Sequence, residues 1–197
     1  MDVRSNAPSK RRKISTSSQM EHVQRTVRTE ESRELREPSE DDGTQSFDEE
    51  GDVGVLRTWR TMCPEQLDRW PERELPGDWE GVTMENGRVV KLVLQEFGLT
   101  GAVPAEIGQL SSLERLHLAA NQLTSLPAEI GQLTSLTELY LHGNRLRSLP
   151  AEIGQLTSLR ELNLYGNRLR SVPAAAIRKL RAAGCYVWLD DGVTFAE

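Results

Sequence analysis

The string LTSLPAEIGQLTSL at Leu123 to Leu136 returns as LRSLPAEIGQLTSL at Leu146 to Leu159. Around these copies Asn121, Asn144 and Asn167 recur at a constant offset of 23 residues, and Pro127, Pro150 and Pro173 keep the same offset. Self-similarity at that period marks a stacked array of short structural units. Within a unit, Leu139 and Leu141 alternate with Glu138, Tyr140 and His142, the period-2 pattern of a strand with one buried face. Pro150 suits the first position of a short helical turn, where its missing N–H costs nothing. Ile153 and Leu156, three residues apart, then turn inward. One such coil cannot bury its leucines alone, so successive coils stack into a continuous core. The asparagines sit where the chain leaves each strand, and buried amides there must bond to backbone groups of neighbouring coils.

The unit LxxLxLxxNxL, as in Leu136, Leu139, Leu141, Asn144 and Leu146, resembles the leucine-rich repeat family over roughly Val89 to Leu189. LxxLPxxIxxLxxL is most similar to the intracellular Ras-group type. The first unit, LTGAVPAEIGQL at Leu99 to Leu110, resembles the plant type, and Gly98 stands where later coils have asparagine. Trp79-Glu80-Gly81-Val82 resembles the plant-type N-terminal cap, with Met84 where that family usually has cysteine. The resemblance implies an α/β solenoid with parallel strands on a concave face and short helical turns on the convex face. It also implies a non-enzymatic intracellular adaptor or scaffold that binds a protein partner, with a small GTPase or a kinase complex as candidates.

The rest of the chain divides by composition into an arm (1–51), a Trp-rich helical cap (52–87), the repeats (88–173) and a C-terminal cap (174–197). The arm is rich in Ser, Glu, Arg and Asp and holds one aromatic, Phe47. It buries too little surface to offset its ordering entropy, so disorder is expected. Lys10, Arg11, Arg12 and Lys13 resemble a nuclear-import signal; the other reading is a solvated basic run. The acids collect between Glu30 and Asp52. In the cap, Trp59, Trp70 and Trp79 are read as packing that closes the first coil, with a ligand pocket as the alternative. One or two short helices are expected there, the second opening at Pro64. Past Pro173, Ala174 to Ala183 reads as helix. Cys185, Val187 and Leu189 then alternate inward against outward Tyr186 and Trp188, although the opposite register is also apolar on both faces.

A hydrophobic fraction of 37% fits a partly unfolded chain, and a net charge of -6 gives no general reason to expect nucleic acid or an anionic membrane as partner. No apolar run reaches the roughly 18 residues of a membrane span. Cys63 and Cys185 fall at opposite ends of the stack, too far apart to bridge. A monomer in the cytoplasm, the nucleus or both is expected.

Comparing the units with one another locates the candidate sites. PAEIGQL is unchanged at Pro104, Pro127 and Pro150, whereas the outward strand positions vary. They form the rows Arg115, Glu138, Glu161; His117, Tyr140, Asn163; and Ala119, His142, Tyr165. With Trp188, and Lys91, Val93 and Gln95 at the other end, they make one varied face. Five strands at about 4.8 Å give that face near 300 Å², below the roughly 800 Å² per partner of a standard interface. A second feature is the doubled string NRLR, which stacks Arg145 over Arg168 and Arg147 over Arg170. Four guanidiniums there would attract carboxylate or phosphate, the arm's own run Glu37 to Glu50 included; the alternative is a solvated edge. His117 and His142 invite a metal reading, but no third rigid ligand is evident. No phosphate loop, nucleophile elbow or CxxC is present, so neither cofactor nor catalysis is expected. Three rival readings remain: a nuclear regulator gripping an acidic partner by the arginine edge, an enzyme using His117 and His142, and one of many duplicated repeat proteins with little individual function.

Overall fold

A computed structural model describes residues 51–61 and 68–196. The basic run at Lys10 to Lys13, the acidic run at Glu37 to Glu50, Cys63 and the helix expected at Pro64 lie outside the described residues.

The repeats build one six-stranded sheet. Its first two strands, β1 (Val82–Glu85) and β2 (Arg88–Val93), form an antiparallel hairpin. Asn86 and Gly87 make its turn with φ of 51° and 75°, the left-handed pair that matches the twist of a tight hairpin. From β2 the sheet continues in parallel through β4 (Arg115–His117), β6 (Glu138–Tyr140), β7 (Glu161–Asn163) and β9 (Tyr186–Trp188). Register follows the repeat: Leu116 pairs with Leu139 and Leu139 with Leu162 at the 23-residue period, while Leu92 of the first coil pairs with Leu116 one residue further on. Each of those leucines is fully buried, as are Leu94, Leu118, Leu141 and Leu164 two positions on.

Away from the sheet, β3 (Thr100–Ala102) pairs in parallel with β5 (Gln122–Ser125), and β8 (Ser171–Pro173) with β10 (Thr194–Ala196). The side opposite the sheet carries three identical five-residue 3-10 turns: Ala105–Gln109, Ala128–Gln132 and Ala151–Gln155. Here the proline expectation shifts by one place. Pro104, Pro127 and Pro150 precede their turns in extended conformation and accept the N–H of Ile107, Ile130 and Ile153. Proline's fixed φ supports that extended cap as well as it would a first helical residue. The glycine of PAEIGQ has a packing reason: a Cβ on Gly131 would stand 2.6 Å from the Glu152 carbonyl oxygen of the next coil. In the last coil α2 (Ala174–Ala182) replaces the 3-10 turn, and Gly154 packs against Ala176.

The asparagine ladder bridges coils through backbone groups. Asn144 accepts the Leu123 N–H at 3.0 Å and donates to the carbonyls of Leu118 and Leu141 at 2.8 and 3.0 Å. Asn121 does the same one coil earlier, and Asn167 one coil later. One side chain thus satisfies three otherwise orphaned groups in a sharp turn.

The first coil is closed by α1 (Asp52–Thr61) and the tryptophans. Helix α1 packs on the first 3-10 turn, and Trp59 sits against Leu99, Val103 and Leu123. Trp70 and Trp79 stack at 5.0 Å between centroids, and Trp70 meets Phe97 at 6.1 Å. Their indole N–H groups donate to the carbonyls of Glu80 and Pro71 at 2.9 and 3.0 Å. All three rings are buried and belong to the core of the cap.

Asp52, counted in sequence with the acids of the arm, belongs instead to the fold. It is buried, accepts the Val89 N–H at 2.7 Å and pairs with Arg88 at 3.1 Å. That clamp joins the first helix to the first repeat strand across 36 and 37 residues of sequence. No helix among the described residues is long and apolar enough to cross a membrane.

Candidate functional site

Alternation along the five parallel strands sends every second side chain away from the leucine core. Pairing aligns these side chains into rows. The first runs Lys91, Arg115, Glu138, Glu161, Tyr186, and the second Val93, His117, Tyr140, Asn163, Trp188. The face is therefore graded along the stack: basic at the first coils, acidic in the middle, aromatic at the last.

Its middle is one connected network. Arg115 pairs with Glu138 at 3.0 Å, and His117 Nε2 meets the other oxygen of the same carboxylate at 3.1 Å. The His117 ring lies 4.3 Å from the Tyr140 ring, whose hydroxyl donates to Glu161. That hydrogen bond first, then partial burial and the two glutamates, push the Tyr140 hydroxyl up from 10.0 to about 12. A tyrosine held neutral by an acceptor carboxylate is a fixed donor and not an acid. Tyr140 also contacts the second histidine, His142, edge-on at 6.3 Å. Among the described residues no three His, Cys, Asp or Glu are grouped to hold a metal.

The third row differs from its sequence reading at one end. Ala119 is buried, His142 is half-buried and Tyr165 is 62% exposed. The row therefore opens only toward the last coil. Asn163 commits its side-chain oxygen locally, accepting the Tyr165 N–H at 3.1 Å.

On the strand face, the exposed aromatic side chains among the described residues gather at the C-terminal end, with Val93 exposed at the other end. Tyr186 is 71% exposed and Trp188 44%, and their rings face each other at 6.3 Å. Of the two registers compatible with the sequence, the one with Cys185 buried and Val187 and Leu189 half-buried is adopted. Tyr186 was left out of the binding set, although its outward place in the alternation was the signal that includes it. Asp190 fixes this end by accepting the Gly166 and Asn167 N–H groups at 2.9 and 3.2 Å. Burial, with a smaller effect of Glu161, pushes the Cys185 thiol up to about 11, so it stays an unreactive thiol at neutral pH.

The arginines of the NRLR strings are all exposed, and three of them, Arg147, Arg168 and Arg170, line one groove of about 520 Å³. Arg145 does not line it.

Residues 91–182 match the family model of a leucine-rich repeat region. No curated protein sequence matches the chain. Among solved structures, the chain is similar to the BIR2 ectodomain of Arabidopsis thaliana, at 26% identity and TM-score 0.62, over 71% of this chain and 81% of that one. It is also similar to a chain of the BIR3–SERK2 complex from the same plant, at 27% identity and TM-score 0.59, over 73% and 80%. The leucine-rich repeat ectodomain of the Arabidopsis receptor kinase SOBIR1 shares the fold at 22% identity and TM-score 0.54, over 73% and 94%.

Proposed function

For a chain that carries a leucine-rich repeat region over residues 91–182, we propose that the strand face binds another protein, and that the aromatic end of the face is the anchor. The observation that carries this reading is the exposure of Tyr165, Tyr186 and Trp188 together at one end of a rigid sheet. Large, stiff aromatic side chains lose little entropy on binding and supply most of the energy of small interfaces. The face's graded charge adds orientation: a partner lays apolar groups on Trp188 and Tyr186, a cationic group near Glu161, and its acids toward Arg115 and Lys91. The network of Arg115, His117, Glu138 and Tyr140 then holds the floor of the site in one geometry. One of the similar chains belongs to a complex of two proteins, BIR3 and SERK2.

The buried thiol of Cys185 and the Met84 of the cap suit a reducing compartment, and the reading is of an intracellular adaptor. Its small face makes a modest affinity or a second contact the expectation.

The test is an affinity pull-down with the full chain and with a Tyr165→Ala, Tyr186→Ala, Trp188→Ala variant of matched thermal stability. A partner captured by the first and lost from the second supports the aromatic anchor, each ring contributing about 2 kcal/mol. Equal recovery by both chains overturns it.

A further inference from the structure

The rim beyond the strands carries a different chemistry from the face. Gln122 and Thr124 of one coil give way to Arg145 and Arg147 in the next, and to Arg168 and Arg170 in the one after. The coils are locked there by backbone bonds: the N–H of Arg145 donates to Leu123 and that of Arg168 to Leu146, each at 2.9 Å. Arginines on successive coils therefore emerge about 4.8 Å apart. Arg147, Arg168 and Arg170 converge on the groove of about 520 Å³.

Elsewhere Arg115 pairs with Glu138, Arg88 with Asp52, Arg69 with Glu80 and Arg60 with Glu72. The three groove arginines have no ion pair among the described residues. Asp190, on the loop that follows β9, has both oxygens engaged by the backbone of Gly166 and Asn167. Three like charges are thus held close on a rigid frame in a chain of net charge -6, an arrangement that repels itself until a counter-anion enters.

We propose that this groove is a binding site for a compact, multiply phosphorylated small molecule. Guanidinium forks match phosphate oxygens in bidentate pairs, which ammonium groups do not. Their convergence from two coils favours a ligand with several charges in a small volume over a single carboxylate. The volume falls within the roughly 300–1,000 Å³ of small-molecule sites. A long nucleic acid is disfavoured, because three cations span too little of it and the overall negative charge repels the rest.

Calorimetric titration of the full chain with tripolyphosphate at low salt tests the assignment. One molecule binds per chain, each of Arg147→Gln, Arg168→Gln and Arg170→Gln weakens it about tenfold, and the triple variant abolishes this binding. Arg115→Gln, which removes a charge from the strand face, leaves it unchanged. The basic run Lys10 to Lys13 is intact in every variant, so any binding it contributes survives in the triple variant and is subtracted. Equal affinity of the wild type and the triple variant, or no binding to either, overturns the proposal. Replacing the three arginines by lysine keeps the charge and removes the forks; undiminished affinity in that variant overturns the bidentate recognition. None of the three lies on the strand rows, so partner capture by the aromatic end is independent of this result.

Discussion

The two ends of the solenoid use the same kind of side chain for opposite purposes. At the N-terminal end Trp59, Trp70 and Trp79 are each no more than 3% exposed. At the C-terminal end Tyr165, Tyr186 and Trp188 stand between 44% and 71% exposed. Both ends are coils with a missing neighbour, and the stack must be closed at each. The first is closed by α1, a hairpin and three indoles. The last is closed by α2 and by Cys185, Val187 and Leu189 of β9, which leaves its aromatics outside. Burial therefore separates the rings that hold the fold from the rings available to a partner, where residue type cannot.

The sharpest way to break this comparison is Trp59→Ala. The indole is 2% exposed and belongs to the same core as Leu99, Val103 and Leu123, and truncating a buried tryptophan costs about 3–5 kcal/mol. Urea unfolding should show a lowered midpoint of that size, and a loss under about 1 kcal/mol would mean that α1 is not part of the cooperative unit.

Asp52→Ala addresses the same end at a smaller scale. It strands the Val89 N–H and releases Arg88, which is 46% exposed and regains water. The expected cost is about 1–3 kcal/mol, most of it from the unsatisfied amide. Arg88→Ala in the same assay should cost less, because the amide keeps its acceptor; a larger loss from Arg88→Ala would reverse that ranking of the two contacts.

The smallest effect on stability belongs to the other end. Tyr186→Ala with Trp188→Ala removes exposed rings, and the unfolding midpoint should move by no more than about 0.5 kcal/mol equivalent per site. A shift of several kcal/mol would show these rings to be cap residues after all, and would remove the basis for the proposed anchor.

How much of this was legible in sequence depends on the residue. The rows Arg115–Glu138–Glu161 and His117–Tyr140–Asn163 could be drawn from spacing alone, because the period of the array is the register of the sheet. Their internal engagement could not. Tyr140 stands out in sequence as an exposed aromatic, yet its hydroxyl is committed to Glu161 and its ring contacts both His117 and His142. Ala119 followed the same alternation and is nonetheless buried. The hairpin at Asn86-Gly87 has a recognisable turn pair in the sequence, an Asn-Gly that favours a tight left-handed turn.

By itself the sequence determined the solenoid: the 23-residue period, the leucine core, the asparagine ladder and the parallel register. Each of these rests on contacts between a coil and its immediate neighbours, so repetition along the chain carries the whole instruction. Only the tertiary structure decided where the array stops being periodic. Asp52 reaching Val89 and the tryptophans closing on the first coil depend on segments that meet in space with no recurring signal in the chain. The last strand's register belongs with these, since either face of an apolar strand could have turned inward until α2 and the preceding coil settled which one fits.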